Sequence, residues 1–149
     1  MLLRRDRALA AIAVMLDVAF HGGRTATVSA TDIAERAGTA RRGMEPLLQS
    51  LSRAGLLESV RGPRGGYRLG RPRRDISLAD IIAVSQDEEQ DASEQSPSKL
   101  QEVVLDPLWS ELSAVLDARL SAINLDDLMR RAASAGLRRP VTEPISYAI

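Results

Sequence analysis

Apolar residues recur at helical spacing almost from the start of the chain. Between Arg4 and Phe20 the positions Leu9, Ile12, Ala13, Leu16 and Phe20 stand three or four apart, and Gly22-Gly23 end the run. "VSATDIAERAG" predicts a second, short helix. Ser29 takes its N-cap with Asp32 three residues on, Ile33 and Ala34 turn inward, and Gly38 stops it. In "TARRGMEPLLQSLSRAG" Thr39 is the expected cap of a third helix. Met44, Leu47, Leu48 and Leu51 form its apolar stripe, and Gly55 ends it. Two helices joined by a turn of about three or four residues around a glycine make a helix-turn-helix.

The pattern then shortens. "LLESV" and "GYRLG" read as two strands on either side of a glycine-rich loop. Three helices followed by a hairpin is the order of a winged helix. Ser77, with Asp80 three residues later, opens a short helix to Val84. Residues 86–99 hold five acids, one lysine and no strong hydrophobe, which predicts a flexible loop. Helical periodicity resumes at Val104, Leu105, Leu108, Trp109, Leu112, Val115, Leu116 and Leu120. Asn124 then caps a last helix to about Ala135, closed by Gly136.

The expected fold is therefore mainly α: a winged helix-turn-helix with a small β-hairpin wing and a long C-terminal helix. The expected organisation is a reading domain over 1–75, a connecting helix over 76–85 and an acidic loop over 86–100. The two last helices occupy 101–137, and a proline-containing tail runs over 138–149, where Ile145, Tyr147 and Ile149 are available to dock on a partner.

Composition sharpens this picture. Aromatics are 3% of the 149 residues against 44% hydrophobic overall, so the core must come from Leu, Ile, Val and Ala, which suits packed helices. The net charge is zero, but its distribution is uneven. Residues 1–75 carry 14 arginines against seven acids, while residues 76–149 carry six basic residues against 13 acids. A basic first half points toward nucleic acid.

The chain has no cysteine, which excludes disulfides, thiol catalysis and cysteine-ligated metal or iron–sulfur centres. The single histidine, His21, sits at a helix end and is expected to satisfy the helix dipole there rather than bind metal. The acids from Asp87 to Glu94 follow no ligand spacing, so no metal site or cofactor is expected. No convergent acid–base set argues for an enzyme. There is no apolar run of about 18 residues and no signal-type cleavage site, so a cytoplasmic protein without membrane contact is expected.

Arg41 and Arg42 stand in the first turn of the third helix, where a recognition helix in a major groove meets base edges. Arginine opposes the dipole at a helix N-terminus, so a DNA phosphate or base supplies a reason for the pair. Glu45 can accept from cytosine. Gly43 and Pro46 argue for a helix beginning nearer Gly43, which would lift the two arginines into the preceding turn and favour phosphate contact. Arg53 either reaches a phosphate or ends its helix favourably.

The loop "RGPRGGYRLG" admits two readings. A phosphate cradle needs a helix directly after the glycines, and here Pro72 breaks the chain instead. A hairpin tip explains Gly65 and Gly66 by positive φ, with Pro63 as stiffener and Arg61 and Arg64 projecting to a minor groove or phosphate backbone. Tyr67 is expected to pack on the wing's inner face, with a phosphate hydrogen bond as the alternative.

"IAERAG", "MEPLLQSLSRAGLLESVRGPRGGYRLGRP", "ISLADII" and "PLWSELSAVLDARLSAINLDDLM" together resemble the Rrf2 family of bacterial transcription regulators. The most specific piece is "VRGPRGGYRL" at a fixed distance after the helix-turn-helix. The resemblance implies a homodimer in which the long helix pairs with its mate through Leu105, Leu108, Trp109, Leu112 and Leu116. It also implies that each wing and recognition helix reads half of an imperfect palindrome in double-stranded DNA, which maps onto Arg41, Arg42, Glu45 and Arg61. Cluster-binding members carry three cysteines in the loop before the dimer helix, and this chain has none there. The expectation is thus a dimeric DNA-binding regulator, a repressor, without an iron–sulfur cluster and with its effector open. The alternative is a winged-helix module that binds a protein partner.

Overall fold

The computed structural model describes residues 5–86 and 96–139; the acidic cluster Asp87 to Glu94 and the tail from 140 lie outside them. The elements in order are α1 (Arg5–His21), α2 (Ala30–Ala37), α3 (Arg41–Arg53), β1 (Leu57–Val60), β2 (Gly66–Leu69), α4 (Leu78–Gln86), α5 (Asp106–Ser121) and α6 (Leu125–Ser134). A 3-10 turn, Arg73–Asp75, follows the hairpin, and a π-helical turn, Gln101–Leu105, leads into α5.

α1 is the spine of the core. It buries Ala8, Ala11, Val14, Met15, Val18 and Ala19, whereas Leu9 is 49% exposed and Ile12, Leu16 and Phe20 pack only at the edge. The stripe expected from spacing alone is thus rotated to the rim. Apolar residues surround most of α1, so periodicity could not choose its inner face. Small side chains on the buried face allow α4 to pack closely against α1.

Capping follows local chemistry. Ser29 Oγ accepts from the Asp32 amide at 3.1 Å, and Gly38 closes α2 in the left-handed region at φ 68°. α3 begins at Arg41, not near Gly43, and its N-cap is Ala40, so Thr39 does not cap it. Pro46 lies inside the helix. The helix gives up the single bond a proline cannot make rather than two turns of packing by Met44, Leu48 and Leu51.

Both ends of the C-terminal unit are sewn into the winged core. Ser77 and Asp80 form a reciprocal capping box at α4, each 3.1 Å from the other's amide, and Asn124 and Asp127 form another at α6, each bond 2.9 Å. The two boxes face one another: the Leu78 amide donates to the Ile123 carbonyl at 2.8 Å and the Leu125 amide to Ile76 at 2.9 Å. Leu125 and Met129 are buried in the same core as Leu48, Leu56 and Ile81.

The helical run from Lys99 into α5 widens before Pro107. The Asp106 amide bonds to Gln101, five residues back, over the π-helical turn. Proline has no amide for the Val103 carbonyl, and a π-turn absorbs that gap.

Candidate nucleic-acid interface

α2, the three residues Gly38, Thr39 and Ala40, and α3 form the helix-turn-helix. At the exposed start of α3, Arg41 Nε lies 3.3 Å from Glu45, while Arg42 has no carboxylate partner among the described residues. Ala40 offers no side-chain acceptor and no acid stands in the first turn, so the positive end of α3 is left uncompensated. Arg53, exposed at the far end of α3, also lacks an acid partner among the described residues.

The wing is an antiparallel pair in the register Leu57↔Leu69, Glu58↔Arg68, Ser59↔Tyr67 and Val60↔Gly66. Its tip is a turn closed by the Gly65 amide on the Gly62 carbonyl at 2.8 Å, with Pro63 and Arg64 between them. The left-handed residue at the apex is Gly62, at φ 112°, and not Gly65. Gly65 is required for space instead: a Cβ there would stand 2.6 Å from the Val60 carbonyl oxygen and 2.7 Å from that of Gly62. Gly66 does depart to positive φ, at 157°, and a Cβ on it would fall 2.4 Å from the Val28 carbonyl oxygen.

That contact reveals a support that spacing did not suggest. Val28 bridges Tyr67 with two backbone hydrogen bonds of 2.8 Å, so the α1–α2 connection runs along β2 as a third, single-residue strand. Thr27 Oγ1 donates to the Arg64 carbonyl at 2.7 Å and pins the tip directly. Only the lone apolar Val28 before the Ser29 cap hinted at it. Tyr67 is half-buried against the core, on the inner face as expected.

The wing's cations differ in their engagement. Arg68 grips Glu58 across the hairpin through two bonds of 3.1 and 2.9 Å. That hydrogen bonding holds the Glu58 carboxyl below its usual range and raises the Arg68 guanidinium. Arg61 and Arg64 are exposed at the tip without a carboxylate partner among the described residues. Arg42, Arg53, Arg61 and Arg64 are thus the helix and wing arginines left to meet an outside anion.

The second surface is α5. Leu105, Leu108 and Leu112 are each about half exposed, Trp109 is 43% exposed, and Leu116 is half-buried. Leu100, Val103, Val104 and Val115 extend the same exposed apolar surface. Trp109 is therefore not a core residue of the protomer.

No three metal-ligating side chains converge among the described residues, and none of their helices is long and apolar enough to cross a membrane. His21 lies 3.6 Å from Asp17 on its own helix.

Known proteins resemble the chain over most of its length. The Rrf2 family profile, described as "Iron-dependent Transcriptional regulator", matches residues 5–131. The HTH-type transcriptional regulator IscR of Photobacterium profundum is 40% identical over 124 residues, covering 80% of this chain and 71% of the relative. Among solved structures, T. potens IscR superposes with a TM-score of 0.68 at 32% identity, covering 88% of each chain. CymR, the global cysteine regulator of B. subtilis, gives 0.65 at 27% identity, covering 88% of this chain and 98% of CymR. The iron named in the family description finds no thiolate here, since the sequence contains no cysteine and its one histidine is turned to Asp17. With its winged helix-turn-helix, its wing loop and this match over most of its length, the chain belongs to the Rrf2 family of DNA-binding transcription regulators.

Proposed function

We propose that the chain is a homodimeric repressor that reads an imperfect palindrome without an iron–sulfur cluster. The observation that carries the reading is the set of unpaired arginines at the start of α3 and the wing tip, beside an Arg68 already consumed by Glu58. In this reading Arg41, Arg42 and Glu45 meet a major groove, Arg61 and Arg64 meet the adjoining backbone or minor groove, and Arg53 meets a flanking phosphate. Tyr67 serves as the wing's anchor. The apolar face of α5 supports the dimer, because large side chains in a row on an isolated helix are unfavourable in water until a second copy covers them. The reading organisation is a winged unit over 1–75, a connecting helix over 76–85, a loop over 86–100, dimer and terminal helices over 101–137 and a tail over 138–149.

The deciding experiment is selection of bound duplexes from random DNA, followed by titration of the winner at several salt concentrations. A two-fold-related consensus and a steep, linear fall of log K with log salt are expected. Failure to retain any duplex at low salt would reject the reading.

A further inference from the structure

Three arginines from three distant stretches line one hollow where the winged core touches α6. Arg24 follows α1, Arg73 lies in the 3-10 turn after the wing, and Arg139 follows α6. They line a cavity of about 300 Å³ floored by Ala19, Gly22 and Leu69, and no acid lines it among the described residues. Arg139 Nε donates to the Phe20 carbonyl at 3.4 Å, which lays its guanidinium over Gly23. Neither Arg24 nor Arg139 has a carboxylate within ion-pair distance among the described residues, although the charge of Arg24 is felt at Glu58 on the wing.

Arg73 and Arg139 also line an adjoining hollow of about 560 Å³, where Phe20, Met129 and Leu137 supply an apolar wall. Asp126 is the acid there, and it is engaged by Arg73 at 3.4 Å and Arg130 at 3.2 Å. Guanidiniums lining one hollow favour an anion among them, and a planar fork suits phosphate or carboxylate oxygens. Both volumes are close to or within the range of small-molecule sites.

We propose that these adjoining hollows bind a small organic anion, its phosphate or carboxylate head among Arg24, Arg73 and Arg139 and its apolar body against Phe20, Met129 and Leu137. Resting on the regulator reading, this is the effector site, because the ligand would bridge the end of α1 to the end of α6. A duplex backbone offers the same phosphates but nothing to fill the apolar wall.

The test is isothermal titration calorimetry on the full chain without DNA, with phenyl phosphate and inorganic phosphate as probes. Phenyl phosphate is expected to bind once per protomer and about tenfold more tightly than inorganic phosphate. The Arg24→Ala/Arg139→Ala double variant, chosen because neither residue holds an ion pair, should bind it at least about tenfold more weakly while melting like the parent. Equal binding by parent and variant overturns the proposal. So does a parent that binds neither probe at millimolar concentration. Because DNA is absent, either failure leaves operator binding standing.

Discussion

Arg36 holds Asp17 with two hydrogen bonds, 2.8 Å from Nε to Oδ1 and 2.9 Å from Nη2 to Oδ2, and so ties the first helix of the helix-turn-helix to the spine. That bonding raises the Arg36 guanidinium above its usual value. The pair is partly exposed, which limits its worth to about 0.5–1 kcal/mol. Asp17→Asn should lower the melting temperature by a few degrees, and added salt should shrink the difference between variant and parent. Equal melting curves at low salt would show that the pair contributes nothing.

The contrast between paired and free wing arginines gives a sharper test. Arg61→Ala should weaken operator binding and reduce the salt slope by about one. Arg68→Ala, whose guanidinium is spent on Glu58, should leave the slope unchanged. Fluorescence anisotropy over a salt series separates the two, and identical slopes for both variants would remove the wing tip from the interface.

α5 carries its own prediction. Leu112→Glu puts a charge in the middle of the exposed apolar row and should convert a dimer near twice 16.1 kDa into a monomer, read by light scattering. Its helix content should persist, because none of the side chains of α5 is fully buried in the protomer.

Acid should loosen the molecule at two sites. Glu58 is depressed by its hydrogen bonds from Arg68, and Asp127 by the Asn124 amide it caps. A carboxyl whose folded pKa lies below its unfolded one contributes stability in full above the ordinary carboxylate range. That contribution is lost as pH falls through the depressed folded values. Thermal melts between neutral pH and about pH 3 should therefore decline less steeply for Glu58→Gln than for the parent.

Much of this architecture was legible because its signals are local. Ser29, Ser77 and Asn124 cap their helices through oxygens that reach the third amide, and such chemistry is written in four consecutive residues. The inner face of α1 was not legible, since a helix apolar on nearly every side shows no preferred face until its neighbours are known. Thr39 misled because a hydroxyl one residue before the true cap has the same composition as a cap. At the candidate interface the arginines could be picked out, but their pairing could not. That Arg68 is neutralised by Glu58 depends on hairpin register, and that Thr27 pins Arg64 depends on a contact 37 residues apart. The role of Gly62 was hidden among four glycines that look alike until the turn is drawn.

The facing caps at Ser77 and Asn124 have a consequence for how this chain can vary. The polypeptide passes Ile76 and Leu125 through neighbouring backbone hydrogen bonds, so the segment between them is a closed excursion. Within it α4 still belongs to the core through Leu78 and Ile81, and only the part from the end of α4 to α5 leaves it. Lengthening such a closed excursion costs only the logarithm of its size, roughly 0.6 kcal/mol per doubling. Insertions or deletions between α4 and α5 can therefore vary the exposed apolar surface of α5 while the winged core stays the same. Cutting the chain after residue 75, by contrast, would remove Leu125 and Met129 from the reader's own interior.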